Sequence, residues 1–159
     1  MKKSMKIELT IIAIIVLTFG FLFLSINNKR DIEVANDEIS LRIQLDTRED
    51  IGLIIIDYST DDESGIIGIG NADKSMLKHN DLVIENFTKE NFENPSDMKK
   101  LTLQFKVITD CTEPNMDFDY PKEYTKILDP ISLEAEFGES YNITISGDKT
   151  LGYKAVLEE

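Results

Sequence analysis

The chain predicts an all-β domain, an antiparallel β-sandwich with one or two short helical turns, carried behind an N-terminal transmembrane helix. Three observations support this. Apolar and polar residues alternate strictly in five separate segments. Turn-forming residues separate those segments at short intervals. Residues 9–28 form one uncharged, mostly apolar run behind a basic start. Period two puts every apolar side chain of a segment on one face of a sheet, so each segment is a strand with one packed and one wet face.

The elements follow in order. Lys2, Lys3 and Lys6 form a basic cytoplasmic N-terminus over residues 1–8, and residues 9–28 form the anchor. Twenty helical residues span about 30 Å, the thickness of a bilayer's hydrocarbon core. The Lys/Arg bias places the N-terminus inside and the bulk of the chain outside the cytoplasmic membrane. Leu22-Phe-Leu-Ser-Ile26 lacks a small-x-small cleavage site, so the expectation is an uncleaved, single-pass signal anchor. Residues 29–38 are polar and aperiodic and read as a stalk, which leaves 39–159 as the extracytoplasmic domain.

Within that domain Ile39–Leu45, Leu101–Val107, Ile131–Phe137, Tyr141–Ile145 and Tyr153–Leu157 alternate. Leu53–Tyr58 is nearly continuously apolar and suits a central strand. Gly65–Gly70 is rich in Gly and Ile and suits a strand with a bend or bulge. Leu82–Ile84 is a short strand. Thr47–Asp50 has hairpin length between the first two strands. Gly138–Ser140 and Gly147-Asp148 suggest that the last three strands form an antiparallel meander. Asn71–His79 and Pro121–Leu128 read as helical turns or loops, the first behind a possible Asn cap and the second opened by proline. Short strands with such punctuation fit a sandwich, with the immunoglobulin-like arrangement as its candidate topology.

Charge narrows the partners. The chain has a net charge of −13, but five of its bases lie in the first 30 residues. Residues 31–159 hold 12 bases against 29 acids, a net −17. Such a domain repels nucleic acid and anionic lipid and suits a protein or cationic ligand. Asp57, Asp61, Asp62 and Glu63 crowd one segment, and Asp117 and Asp119 flank Phe118 in another. These six are the candidate binding residues. Grouped carboxylates are also the ligand type of Ca²⁺, the one ion this pattern brings into view, although the spacing fits no EF-hand. No other cofactor is expected.

Catalytic chemistry has little to work with. The one histidine, His79, and the one cysteine, Cys111, allow a cell-envelope cysteine transpeptidase-like enzyme as an alternative. Sortases carry Thr directly before the cysteine and an arginine after it. Here the order is Thr109-Asp110-Cys111, and Arg30, Arg42 and Arg48 all precede it. Ser75-Met-Leu-Lys78 matches S-x-x-K but lacks the companion motifs of penicillin-binding enzymes. The sequence therefore reads as a non-enzymatic binding module, its contact loops at 57–65, 71–80 and 110–120. An immunity-type protein that neutralises a basic partner is a further alternative, supported by charge.

Gly70-Asn-Ala-Asp-Lys-Ser75 and Gly138–Tyr153 resemble stretches of small, uncharacterised, N-terminally membrane-anchored proteins of Gram-positive bacteria. The resemblance covers the chain from about Ile39 onward. It implies an address at the cell membrane and no specific activity.

Overall fold

The structure is a computed structural model, and it describes residues 34–95, 100–112 and 119–158. The anchor at 9–28, the basic segment before it and Asp117 lie outside the described residues. Val34–Glu159 forms a compact unit of its own.

Alternation becomes nine strands among the described residues: β1 (Glu38–Thr47), β2 (Leu53–Ser59), β3 (Ser64–Ile69), β4 (Leu82–Thr88), β5 (Leu101–Ile108), β6 (Thr125–Ile127), β7 (Ile131–Leu133), β8 (Ser140–Asp148) and β9 (Gly152–Leu157). They make two sheets. One has the order β4-β1-β8-β9; the other has the order β3-β2-β5-β6, with β7 also paired to β5. The fold is an all-β sandwich, as the alternation predicts. β1 supplies Ile39, Leu41, Ile43 and Leu45 to its interior, and β5 supplies Leu101, Leu103, Phe105 and Val107; all are fully buried. Ile54 and Ile56 of β2, Phe87 of β4 and Ile143 and Ile145 of β8 complete the centre. Burying each such side chain contributes about 2 kcal/mol relative to leaving it in water.

Three details differ from the sequence expectation. β1 and β8 pair in parallel, Ser40 with Ser140 through Thr47 with Gly147, so the sandwich contains one parallel ladder. Thr47–Asp50 does not close a hairpin: it crosses between sheets, and β1 and β2 never pair. The meander is limited to β8 and β9, because β7 pairs with β5 in the opposite sheet. Neither Asn71–His79 nor Pro121–Leu128 forms a helix. The Asn71 side chain donates to the carbonyls of Ser75 and Met76 instead of capping N–H groups. Lys74 (φ +61°) and Asn80 (φ +71°) leave right-handed helical space, and Leu77 bridges Ile51. After Pro121, one turn closes from Tyr124 N–H to the Pro121 carbonyl, and the chain then extends into β6. The one short helical element described is the 3-10 turn Lys89–Asn91.

Tyr141 opens β8 with its hydroxyl donating to the Glu134 carbonyl and accepting from the Glu136 N–H, both 2.9 Å. Immunoglobulin-like sandwiches use such a tyrosine corner to fix the entry of a strand. Tyr141 and Tyr153 both pack against the core.

Candidate functional site

Two of the three predicted contact loops meet in one cleft. It encloses about 330 Å³ and is lined by Leu53, Asn71, Lys74, Cys111, Thr112 and Tyr120, with Gly52 and Gly70 at its base. Gly52 is required there. A Cβ at that position would lie 2.2 Å from the Asp110 carbonyl oxygen, so a side chain would push the two loops apart. Cys111 is exposed, and its thiol donates to the Lys74 carbonyl across the cleft at 3.1 Å. Its own N–H donates to Asp110 Oδ1 at 2.8 Å.

His79 has other partners. Its Nδ1 lies 2.8 Å from Asp50 Oδ1, and its backbone N–H donates to the same oxygen. Lys78 Nζ contacts Asp50 Oδ2 at 2.8 Å. The Lys78 ammonium, the His79 N–H and the His79 ring hold the Asp50 carboxyl well below the usual carboxylate range. The loop 71–81 is thus fastened to the β1–β2 connection through Asp50 and the Ile51–Leu77 bridge. Ser75, the candidate in the S-x-x-K match, donates its N–H to Asp73 Oδ1. Asn71 Nδ2 donates to its hydroxyl.

The acidic segment separates into parts. Asp57 belongs to β2 and points from the outer sheet face, where its Oδ2 lies 2.6 Å from Lys106 Nζ. Its other carboxylate oxygen is buried without a hydrogen-bond partner among the described residues. Asp61 and Asp62 form the tip between β2 and β3. Thr60 Oγ1 accepts from the N–H groups of Asp62 and Glu63, which fixes the turn. Glu63 turns away from the tip and accepts the Glu93 N–H on both oxygens, at 3.1 and 3.2 Å. Asp119 lies next to Tyr120 at the cleft, and Asp117 lies outside the described residues. Among the described residues, no group of three or more His, Cys, Asp or Glu side chains is gathered closely enough to hold a metal ion.

A polar network that sequence reasoning missed ties the far end of β8 and β9 to the β1–β2 connection. Asp148 Oδ1 accepts from the N–H groups of Thr150 and Leu151, and its Oδ2 meets Arg48 at 3.1 Å. Glu49 accepts from Tyr153 Oη and the Lys149 N–H. Burial and the Glu49 carboxylate push the Tyr153 phenol well above its usual value. These partners lie about a hundred residues apart, and only the parallel β1–β8 ladder brings them together.

No protein-family model and no curated protein sequence matches the chain. Among solved structures, pneumolysin matches 76% of this chain and 23% of its own length, at 10% identity and a TM-score of 0.38. Listeriolysin O matches 76% of this chain and 22% of its own, at 10% identity and a TM-score of 0.39. A protein from Eubacterium rectale matches 77% of this chain and 90% of its own, at 10% identity and a TM-score of 0.38. The chain spans about a quarter of the length of the cytolysins it matches.

Proposed function

We propose that the protein is a membrane-anchored, extracytoplasmic recognition module that binds a protein or cationic ligand and performs no catalysis. The observation that carries this reading is the convergence of Asn71 and Lys74 with Cys111, Thr112 and Tyr120 in one cleft on the sandwich. Recognition on such scaffolds is carried by loops held at fixed separation. The cleft mixes an apolar wall (Leu53), an aromatic ring (Tyr120) and polar groups (Asn71, Thr112). That composition suits a partner's side chain more than a charged small molecule. The net charge of residues 31–159 favours a basic partner and speeds its approach.

A photo-crosslinking residue at Tyr120, in the full chain on intact cells, tests this. The expected result is one discrete adduct, diminished when Gly52→Val pushes the loops apart and disrupts the cleft, with the domain digested by protease added outside. No adduct on intact cells, or a domain that external protease cannot reach, overturns the reading.

A further inference from the structure

Among the described residues β3 ends its sheet, and its unpaired side has a definite hydrogen-bonding phase. The Thr60 N–H donates to the Glu63 carbonyl at 2.9 Å, which makes these two a hydrogen-bonded pair across the turn. Antiparallel pairs alternate between bonded and non-bonded. In the observed register, Gly65, Ile67 and Ile69 therefore exchange bonds with Tyr58, Ile56 and Ile54. Ser64, Ile66 and Gly68 aim their N–H and C=O groups away from β2, at the open edge.

Sheet edges are ordinarily blunted by lysine, proline, bulges or inward-pointing charge. β9 carries Lys154. β4 carries Glu85, which stands opposite the core residue Leu41 and so belongs to the inner face. β6 and β7 are three residues each. β3 has none of these protections. Ser64-Gly-Ile-Ile-Gly-Ile69 is uncharged, and Ile66 is 73% exposed.

The surroundings of this edge are acidic. Tyr58 contacts Gly65 of β3, and its ring centroid lies 5.1 Å from that of Phe87 in β4. The β3 and β4 edges therefore flank the same side of the sandwich. Glu85 is two residues along β4 from Phe87; its backbone pairs with Leu41, and its carboxylate meets no hydrogen-bond or ion-pair partner among the described residues. Burial alone raises its carboxyl above the usual range. Asp61, Asp62 and Glu63 stand at one end of the same edge.

We propose that the β3 edge takes up an extended, basic segment of a partner protein as an additional strand, with its inward lysine or arginine paired to Glu85. This rests on the reading of the domain as a recognition module, but it names a surface separate from the loop cleft. Main-chain bonds to Ser64, Ile66 and Gly68 supply affinity, and alternate side chains supply selectivity. Strand alternation sends every second partner side chain inward, toward the face to which Glu85 belongs, and an unpaired carboxylate there makes a cation the favoured occupant.

The test uses the full chain in uncharged detergent and a synthetic ten-residue peptide of alternating valine and lysine. Its counterpart has glutamate in place of lysine. The lysine peptide is expected to bind and the glutamate peptide to fail, with slowed amide exchange at Ile66 and Gly68. Ile66→Pro removes one edge donor without touching the β2 ladder and is expected to weaken binding about fivefold. Ile66→Lys, which keeps the N–H and adds like charge, also weakens it, and unchanged circular dichroism confirms the fold of both variants. Glu85→Gln is expected to cost about tenfold for the lysine peptide. Absence of binding, or equal binding by Ile66→Pro, overturns the proposal. Protection confined to 71–80 and 110–112 overturns it too while leaving the cleft reading intact. Dimerisation that protects the same amides without peptide assigns the edge to a second copy and also overturns it.

Discussion

The Asp50 carboxylate, in the connection between β1 and β2, accepts from Lys78 Nζ and from the His79 N–H, and its Oδ1 pairs with the His79 ring. These contacts depress its folded-state pKa below the ordinary 3.8. For an acid shifted downward, the linked stability is fully present above the unfolded value and fades as pH falls through the folded one. The fastening of loop 71–81 is therefore expected to hold at neutral pH and to weaken below about pH 4. Asp148, held down first by the Leu151 N–H and also by Thr150 and Arg48, follows the same sign. Tyr153 acts in the opposite sense. Its phenol is raised by burial and Glu49, so its contribution is present below pH 10 and lost above it. Thermal unfolding of the full chain across pH should show both limbs. Asp50→Asn should flatten the acid limb and lower the neutral-pH midpoint; an unchanged acid limb would show that Asp50 bears no linked stability. Separate partners also predict that His79→Ala leaves the iodoacetamide rate of Cys111 unchanged. A large drop would join the two residues and favour the transpeptidase-like alternative.

At the scale of elements, the β8–β9 hairpin depends on one backbone conformation. Gly147 has φ +119°, and a Cβ there would lie 2.2 Å from the Gly152 carbonyl oxygen. Gly147→Ala is expected to cost about 1–3 kcal/mol and to lower the midpoint of unfolding by about 4–10 °C. Gly68→Ala is the contrast, since a Cβ on that edge meets nothing within 4 Å, and it should shift the midpoint little. These elements also show what alternation encodes. Period two places Ile39, Leu41, Ile43 and Leu45 on one face, and all four are buried as the pattern requires. It carries no information about the neighbour. The parallel β1–β8 pairing and the move of β7 to the other sheet were therefore invisible in it. Of the two readings of Asn71–His79, helical turn or loop, the loop is the one formed, because the Asn71 side chain satisfies the carbonyls of Ser75 and Met76, a choice that an Asn-led run of helix formers does not reveal. The cleft was half legible: both loops carry polar punctuation, but their convergence depends on Gly52 packing under Asp110. The β3 edge was legible in composition, as an uncharged stretch in a chain with 30% charged residues. Its exposure was not, because edge and centre positions read alike in one sequence.

At the scale of the molecule, charge is the feature that fold and sequence share. Residues 31–159 carry 29 acids and 12 bases. Several acids are used as acceptors within the fold, Asp50, Asp148, Glu49 and Glu63 among them. Accepting a backbone N–H does not cancel a charge, so the domain still repels itself. Among the described residues, the ion pairs Arg48–Asp148, Lys78–Asp50 and Lys106–Asp57 each keep at least one partner substantially exposed or both partly so. Pairs of that kind contribute about 0–1 kcal/mol each. Salt therefore acts through two opposed effects: it screens many repulsions and weakens a few attractions. Raising ionic strength from about 0.01 M to 0.1 M shortens the screening length from about 30 Å to about 10 Å, less than the width of the domain. Repulsion spread over the whole surface is the larger of the two effects, so the midpoint of unfolding should rise with sodium chloride. A polyamine such as spermine should raise it at low salt and lose that effect as salt increases. A midpoint that falls with salt would show that local pairs outweigh net charge, and it would remove the electrostatic argument for a basic partner.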